Sequence, residues 1–175
     1  LPDRRMKSAP ATASSVRGST LIEAVIAVGV LAVAVPLVFG AMAEGGKTAA
    51  AAQAETRSTW IVPACLEEVR ASREGKPRFF TATTTGQVFP PAGEVWALAF
   101  AKDGKLIGKI SKDSYTSGTK TLNGQTVRYV ASMTATEAVV RQGATPMLDL
   151  RITLEYPAAA KATKRGKLDF LTRIP

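Results

Sequence analysis

The side chains able to do chemistry are few, and their spacing excludes more than it offers. Histidine is absent and Cys65 is the one cysteine, which removes Ser-His-Asp triads, Cys-His pairs, intrachain disulfides and cysteine-rich zinc sites. Asp103, Asp113, Asp149 and Asp169 are scattered, and none lies in a D-x-D-x-D-G calcium loop. Glu67, Glu68 and Glu94 are the acidic residues that a hydrolase would pair. Adjacent helix residues point in different directions, however, so they read as solvated surface. No G-x-G-x-x-G, P-loop or G-x-S-x-G motif occurs. The expectation is a non-enzymatic protein with no catalytic residue, no metal and no cofactor. Cys65, flanked by apolar residues, reads as a small buried filler.

Basic residues offer binding rather than catalysis. Lysine and arginine number 23 against 14 acidic residues, a formal charge of +9, so the surface should attract anions such as lipid headgroups, nucleic acid or acidic partners. Lys161, Lys164, Arg165 and Lys167 form a basic loop that reads as a solvated turn, with contact to DNA or anionic lipid as the functional reading. With 46% hydrophobic and 21% charged residues in 175, the chain can build one ordinary domain plus appendages.

The apolar residues concentrate near the N-terminus. Residues 1–18 carry Arg4, Arg5, Lys7 and Arg17 against Asp3 and read as a basic leader without a fold of its own. From Ala24 to Ala43 the chain runs AVIAVGVLAVAVPLVFGAMA, uncharged and long enough at about 1.5 Å per residue to span a hydrocarbon core of roughly 30 Å. The preceding positive charges place the leader in the cytoplasm and everything after Glu44 on the far side. Three readings compete: a removed secretory signal, a plain anchor, and a signal cut before the apolar segment. A secretory signal fits poorly with so long an apolar run. Glu23 stands at its mouth, and an acidic side chain costs about 2.5–3.5 kcal/mol at a bilayer centre, less near the interface, so Glu23 calls for a cation. Arg17 is one source. Cleavage between Gly18 and Ser19 would create another, a free amino group at the start of a helix.

The order Arg17-Gly18-Ser19-Thr20-Leu21-Ile22-Glu23 followed by an apolar helix resembles the prepilin signal of type IV pilins and type II secretion pseudopilins. The resemblance implies that a prepilin peptidase cuts after Gly18 and methylates Ser19, and that Glu23 registers subunits during assembly. Ser19 departs from the phenylalanine common at that place. The family also implies a bacterial inner-membrane protein with a single pass and its head in the periplasm or outside the cell. Its partners would be prepilin peptidase, other pilin or pseudopilin subunits and an inner-membrane assembly platform. The function implied is that of a minor pilin or pseudopilin in a pilus or a type II secretion-like filament. The alternative, from another class, is a membrane-anchored extracytoplasmic binding module for DNA or another anionic polymer.

Four segments follow: a leader at 1–18, a transmembrane and assembly helix at 19–43, a helix continuation and linker at 44–74, and a β head at 75–175. Pro36 is expected to kink the apolar helix, and Gly40, Gly45 and Gly46 weaken it by about 1 kcal/mol each relative to alanine. The helix resumes from Lys47 to about Ser72, disturbed at Pro63, with Trp60, Ile61, Ala64, Leu66 and Val69 as its apolar stripe. Residues 75–93 read as an extended connection with short strands near Phe79 and Val88. Residues 94–101 alternate, turn at a two-residue Asp103-Gly104 hairpin and return over Lys105 to Ser111. Asn123-Gly124 offers a second turn into a strand over Thr126 to Thr134, with Val127, Tyr129, Ala131 and Met133 on one side. Leu148, Leu150, Ile152, Leu154 and Tyr156 then mark a strand buried on one face. Lys167 to Ile174 is the last strand, after a loop from Pro157 to Gly166. The fold class expected is α+β, pilin-like: a long N-terminal transmembrane α-helix packed on a C-terminal antiparallel β-sheet of four to six strands.

Overall fold

The computed structural model describes residues 21–81, 90, 94–137 and 147–174, and these fall into two compact units that divide between Glu44 and Gly45. The first element, α1, runs Leu21–Arg73. It stays helical through Pro36 and Pro63 as well as through Gly40, Gly45 and Gly46, so none of the expected breakers ends it. Its terminus is set by Gly75, which adopts a φ of +75° while Lys76 N–H donates to Ala71 O at 2.8 Å. That bond reaches back five residues, as in the glycine-terminated Schellman turn.

In the second unit, α1 turns one stripe inward: Ala54, Ser58, Ile61, Cys65, Glu68, Val69 and Ser72 are buried. Their spacing of three, four and seven residues places them on one helical face. Trp60 is off that face and is 57% exposed, with the Arg57 guanidinium 5.6 Å from its ring centre. Trp60 is thus no part of the stripe, which Cys65 and Ala54 complete instead.

The sheet that this face covers has five antiparallel strands in the order β2-β1-β5-β6-β7. They are β1 (Trp96–Phe100), β2 (Leu106–Lys109), β5 (Tyr129–Glu137), β6 (Leu148–Tyr156) and β7 (Gly166–Ile174), with a separate hairpin of β3 (Thr121–Leu122) and β4 (Gln125–Thr126). The register aligns Met133 with Ile152 and Ile152 with Phe170, and Ala131 with Leu154 and Leu154 with Leu168. Because successive strand residues alternate faces, this register gathers Trp96, Leu98, Phe100, Tyr129, Met133, Leu150, Ile152 and Leu154 into one core with Ile61, Cys65 and Val69 of α1. The α+β arrangement expected from the sequence is what the structure has.

Two turns show how local chemistry sets the register. Asn123 and Gly124 both take positive φ, 50° and 73°, the backbone of a tight two-residue hairpin turn. The β1–β2 connection is instead a three-residue loop, because Ala101 N–H donates to Lys105 O at 2.9 Å and Gly104 takes a φ of +88°. Glycine at the third loop position produces this wider turn, and the pairing shifts register between Ala99 and Phe100.

All five residues of β1 are buried, so this strand is covered on both faces. On the face away from α1, Ala97, Ala99, Ile110, Val127, Val130 and Ala158 form a second small core. Val127 belongs here, not beside Tyr129 and Met133, because β4 ends at Thr126 and Val127 N–H bonds Lys120 O before β5 begins. The cover includes α2 (Lys112–Ser117), capped by Ser111, whose hydroxyl accepts from Ser114 N–H, and a 3-10 turn, Ala162–Lys164. Neither was legible from periodicity, being too short to show one. No strand forms at Phe79; Val88 lies outside the described residues.

Candidate functional site

Gly18 and Ser19 lie outside the described residues. Glu23 stands in the first turn of α1 and is exposed. The side chains that follow form an uninterrupted apolar surface: every large one from Val25 to Met42 is open, with Val35 the most covered at 45% exposure. A soluble helix buries one stripe and solvates the other. This helix is apolar all round over that stretch and has the length and composition to cross a membrane.

The head's carboxylates are dispersed by the fold. Asp103 Oδ1 accepts from Lys105 N–H in the β1–β2 turn, and Asp113 opens α2. Asp169 accepts a 2.6 Å bond from the Thr153 hydroxyl. Asp149 pairs with Arg173 through bonds of 2.6 and 3.2 Å, and the guanidinium holds its carboxyl below the usual carboxylate range. Among the described residues no group of three or more aspartate, glutamate, cysteine or histidine side chains could hold a metal ion.

Glu67 is exposed but Glu68 is not, which corrects the surface reading of that pair. Glu68 is 3% exposed and its Oε1 accepts N–H bonds from Arg78, Phe79 and Phe80 at 3.0, 2.7 and 3.3 Å. Ser72, one turn on, donates to Thr81 O at 2.6 Å. The chain leaving α1 is thereby folded back onto it, which sets Phe80 flat against Trp96 with ring centres 4.5 Å apart. A buried carboxylate is tolerable only with such partners; this one has a structural task. Cys65 lies beside it and is fully buried. Burial first, and then the Glu68 charge, push the thiol well above its ordinary pKa, so it is inert filler.

The basic loop also divides. Lys161 and Lys164 are exposed and Lys167 is half exposed, but Arg165 is 6% exposed and turned into the protein. Its Nη1 donates to Glu155 Oε2 at 2.9 Å, its Nε to Ala160 O at 2.9 Å and its Nη2 to Tyr115 O at 2.6 Å. Tyr115 in turn donates its hydroxyl to Glu155 Oε1 at 2.6 Å. Burial, and then that bond to the carboxylate, raise the Tyr115 pKa above its ordinary value. The outer face of β6 thus holds a satisfied polar cluster tying α2 and the 157–165 loop to the sheet. Sequence reading missed it because Glu155 occupies an outward position in the alternation, where a charge is ordinary.

Comparison with known protein families, curated proteins and solved structures finds no match to this chain. What the fold and the described residues define is an α+β head whose N-terminal helix carries a membrane-length apolar segment.

Proposed function

We propose that the chain is a minor pilin or pseudopilin, a structural subunit of a type IV pilus or type II secretion-like filament. The observation that carries the reading is the order Gly18-Ser19-Thr20-Leu21-Ile22-Glu23 directly before the apolar run, with Glu23 in the first turn of α1. Prepilin peptidase would cut after Gly18 and methylate Ser19. The helix, apolar all round, would lie in the bacterial inner membrane before assembly and pack against neighbouring subunits after it. Glu23 would meet the new N-terminus of the next subunit, an ion pair that rewards one register and penalises others. The head would face the periplasm or the cell exterior, and the assembly platform would be the further partner.

Intact-mass analysis of the protein from membranes of cells expressing prepilin peptidase tests this directly. A chain that begins at N-methylated Ser19 is expected. A chain that still carries Arg17, or one cut after Ala43, would overturn the reading and leave an anchored or secreted binding module in its place.

A further inference from the structure

The strand β7 ends the sheet and, among the described residues, is paired along one side only. Its register with β6 runs unbroken, from Gly166 opposite Tyr156 to Ile174 opposite Leu148. Neither a proline nor a bulge interrupts it, and these are two of the devices that keep an open edge from pairing with another chain. Such an edge offers a row of N–H and C=O groups to an incoming strand. On its outer face Leu171 is 74% exposed, between Asp169 and Arg173, which alternation places on the same side. On the inner face Leu168 and Phe170 are only partly buried against the core.

The charges select the occupant and the register. When two copies of one edge pair antiparallel about a twofold axis, a single residue faces itself and the two sheets turn the same face to the same side. With Leu171 at the axis, residues 168–174 of each strand overlap. Leu171 then meets Leu171 of the second copy, Asp169 meets Arg173 on both sides of the axis, Phe170 meets Thr172, and Leu168 meets Ile174. With Phe170 at the axis, Lys167 would meet Arg173 twice. With Asp169 there, two carboxylates would meet. Opposite charges facing across strands stabilise the pairing and like charges oppose it. An axis at Leu168 or Thr172 shortens the overlap to 166–170 or 170–174 and leaves Leu171 unpaired or facing an arginine. Asp169 and Arg173 already have partners within the chain, Thr153 and Asp149. A carboxylate nevertheless has about four acceptor sites and a guanidinium five donors, and the Arg173 side chain is 59% exposed, so each keeps capacity for a second contact.

We infer that β7 is an interface for a second copy of this chain, paired antiparallel with Leu171 on the twofold axis and joining two five-stranded sheets into one. The inference goes beyond the filament reading and does not depend on it. A pairing of this length is small beside the interfaces of stable dimers, so association is weak and rises with concentration.

The test is oxidative cross-linking of the full chain in detergent, with buried Cys65 in the unsubstituted protein as the background. Directly opposite side chains have Cβ atoms about 4.5–5.5 Å apart, so Leu171→Cys is expected to give a disulfide-linked dimer. Asp169→Cys and Lys167→Cys should not, because they would lie about 14 and 27 Å from their counterparts. Asp169→Lys should lower the yield from Leu171→Cys on the order of fivefold, whereas Thr153→Val, which removes only the bond within the chain, leaves it unchanged. Protection of Cys65 from maleimide verifies that each variant is folded. Cross-linking that peaks at 167 or 169, that is equal at all three positions, or that is absent from a folded Leu171→Cys chain at every concentration would overturn the interface. The processing of Gly18-Ser19 is read separately by mass, so either reading can fail without the other.

Discussion

The Arg165 guanidinium meets the Glu155 carboxylate at 2.9 Å with their side chains 0% and 1% exposed, so the pair holds its geometry without help from water. Ion pairs of this kind are not cheap, since both charges lose their hydration, and they persist where every remaining donor and acceptor finds a partner. Here the partners are Tyr115 and Ala160, with the Lys167 ammonium 3.8 Å from Glu155 Oε1 as a second cation. Arg165→Ala leaves the buried Glu155 with the Tyr115 hydroxyl and, at 3.8 Å, the half-exposed Lys167 ammonium as its remaining partners, and should cost about 3 kcal/mol, a large part of a domain's total. The double substitution Glu155→Gln with Arg165→Met should cost clearly less, because neither charge is then stranded. Urea unfolding midpoints of the detergent-solubilised chain would compare the two.

Tyr115 gives the same cluster a pH dependence. Its pKa is raised in the folded protein by burial and by the bond to Glu155, so the native state keeps the phenol proton longer than the unfolded chain does. The stabilisation is then complete below the unfolded value of 10.0 and declines as the pH climbs through the higher folded one. Melting curves between neutral pH and about pH 11 should show an alkaline fall in stability that is shallower in Tyr115→Phe. Parallel curves for the two proteins would mean that the phenol is not what titrates.

Legibility followed the length of each element and the face it presents. The alternation over Leu148 to Tyr156 disclosed a strand buried on one face because a nine-residue strand repeats its signal. The glycine at position 104 announced a turn but not its length, which the bond from Ala101 N–H to Lys105 O decides. The uncharged run after Glu23 disclosed a membrane-length helix, and the interruption expected before Lys47 does not occur: glycine weakens a helix without ending it when its flanks strongly favour the state. Trp60 looked like core from its type and is surface by its angle around α1. Glu68 and Arg165 looked like surface from their charge and are interior. Both have partners in distant segments, Glu68 in residues 78–80 and Arg165 in residues 115 and 155, and a partner that far along the chain leaves no local mark.

Glu68 supplies a sharper test of how the head is closed. Its one oxygen serves three consecutive N–H groups, so Glu68→Ala orphans three donors at once. A net loss of about 3 kcal/mol is expected, given about 1–3 kcal/mol for each buried group left unsatisfied and partial rescue by water. Glu68→Gln keeps an acceptor oxygen but not the charge, and charge-assisted bonds are roughly twice as strong as neutral ones, so about half that loss is expected. Amide hydrogen exchange at Phe79 and Phe80 should accelerate in the same order. Unchanged exchange at those two amides would show that the loop is held by the Ser72–Thr81 bond and the Phe80–Trp96 stack instead.

Cys65 reports on the whole interface between α1 and the sheet. Its side chain is fully buried against the core, and desolvation raises its pKa far enough that the reactive thiolate is scarce at neutral pH. The folded chain should therefore resist maleimide at pH 7.5, with intact mass unchanged over hours, and take one equivalent once denaturant exposes the helix. Weakening the clasp with Glu68→Ala should speed modification well before global unfolding if α1 lifts from the sheet locally. If labelling instead follows the global unfolding midpoint in both proteins, helix and sheet separate only as a single cooperative unit.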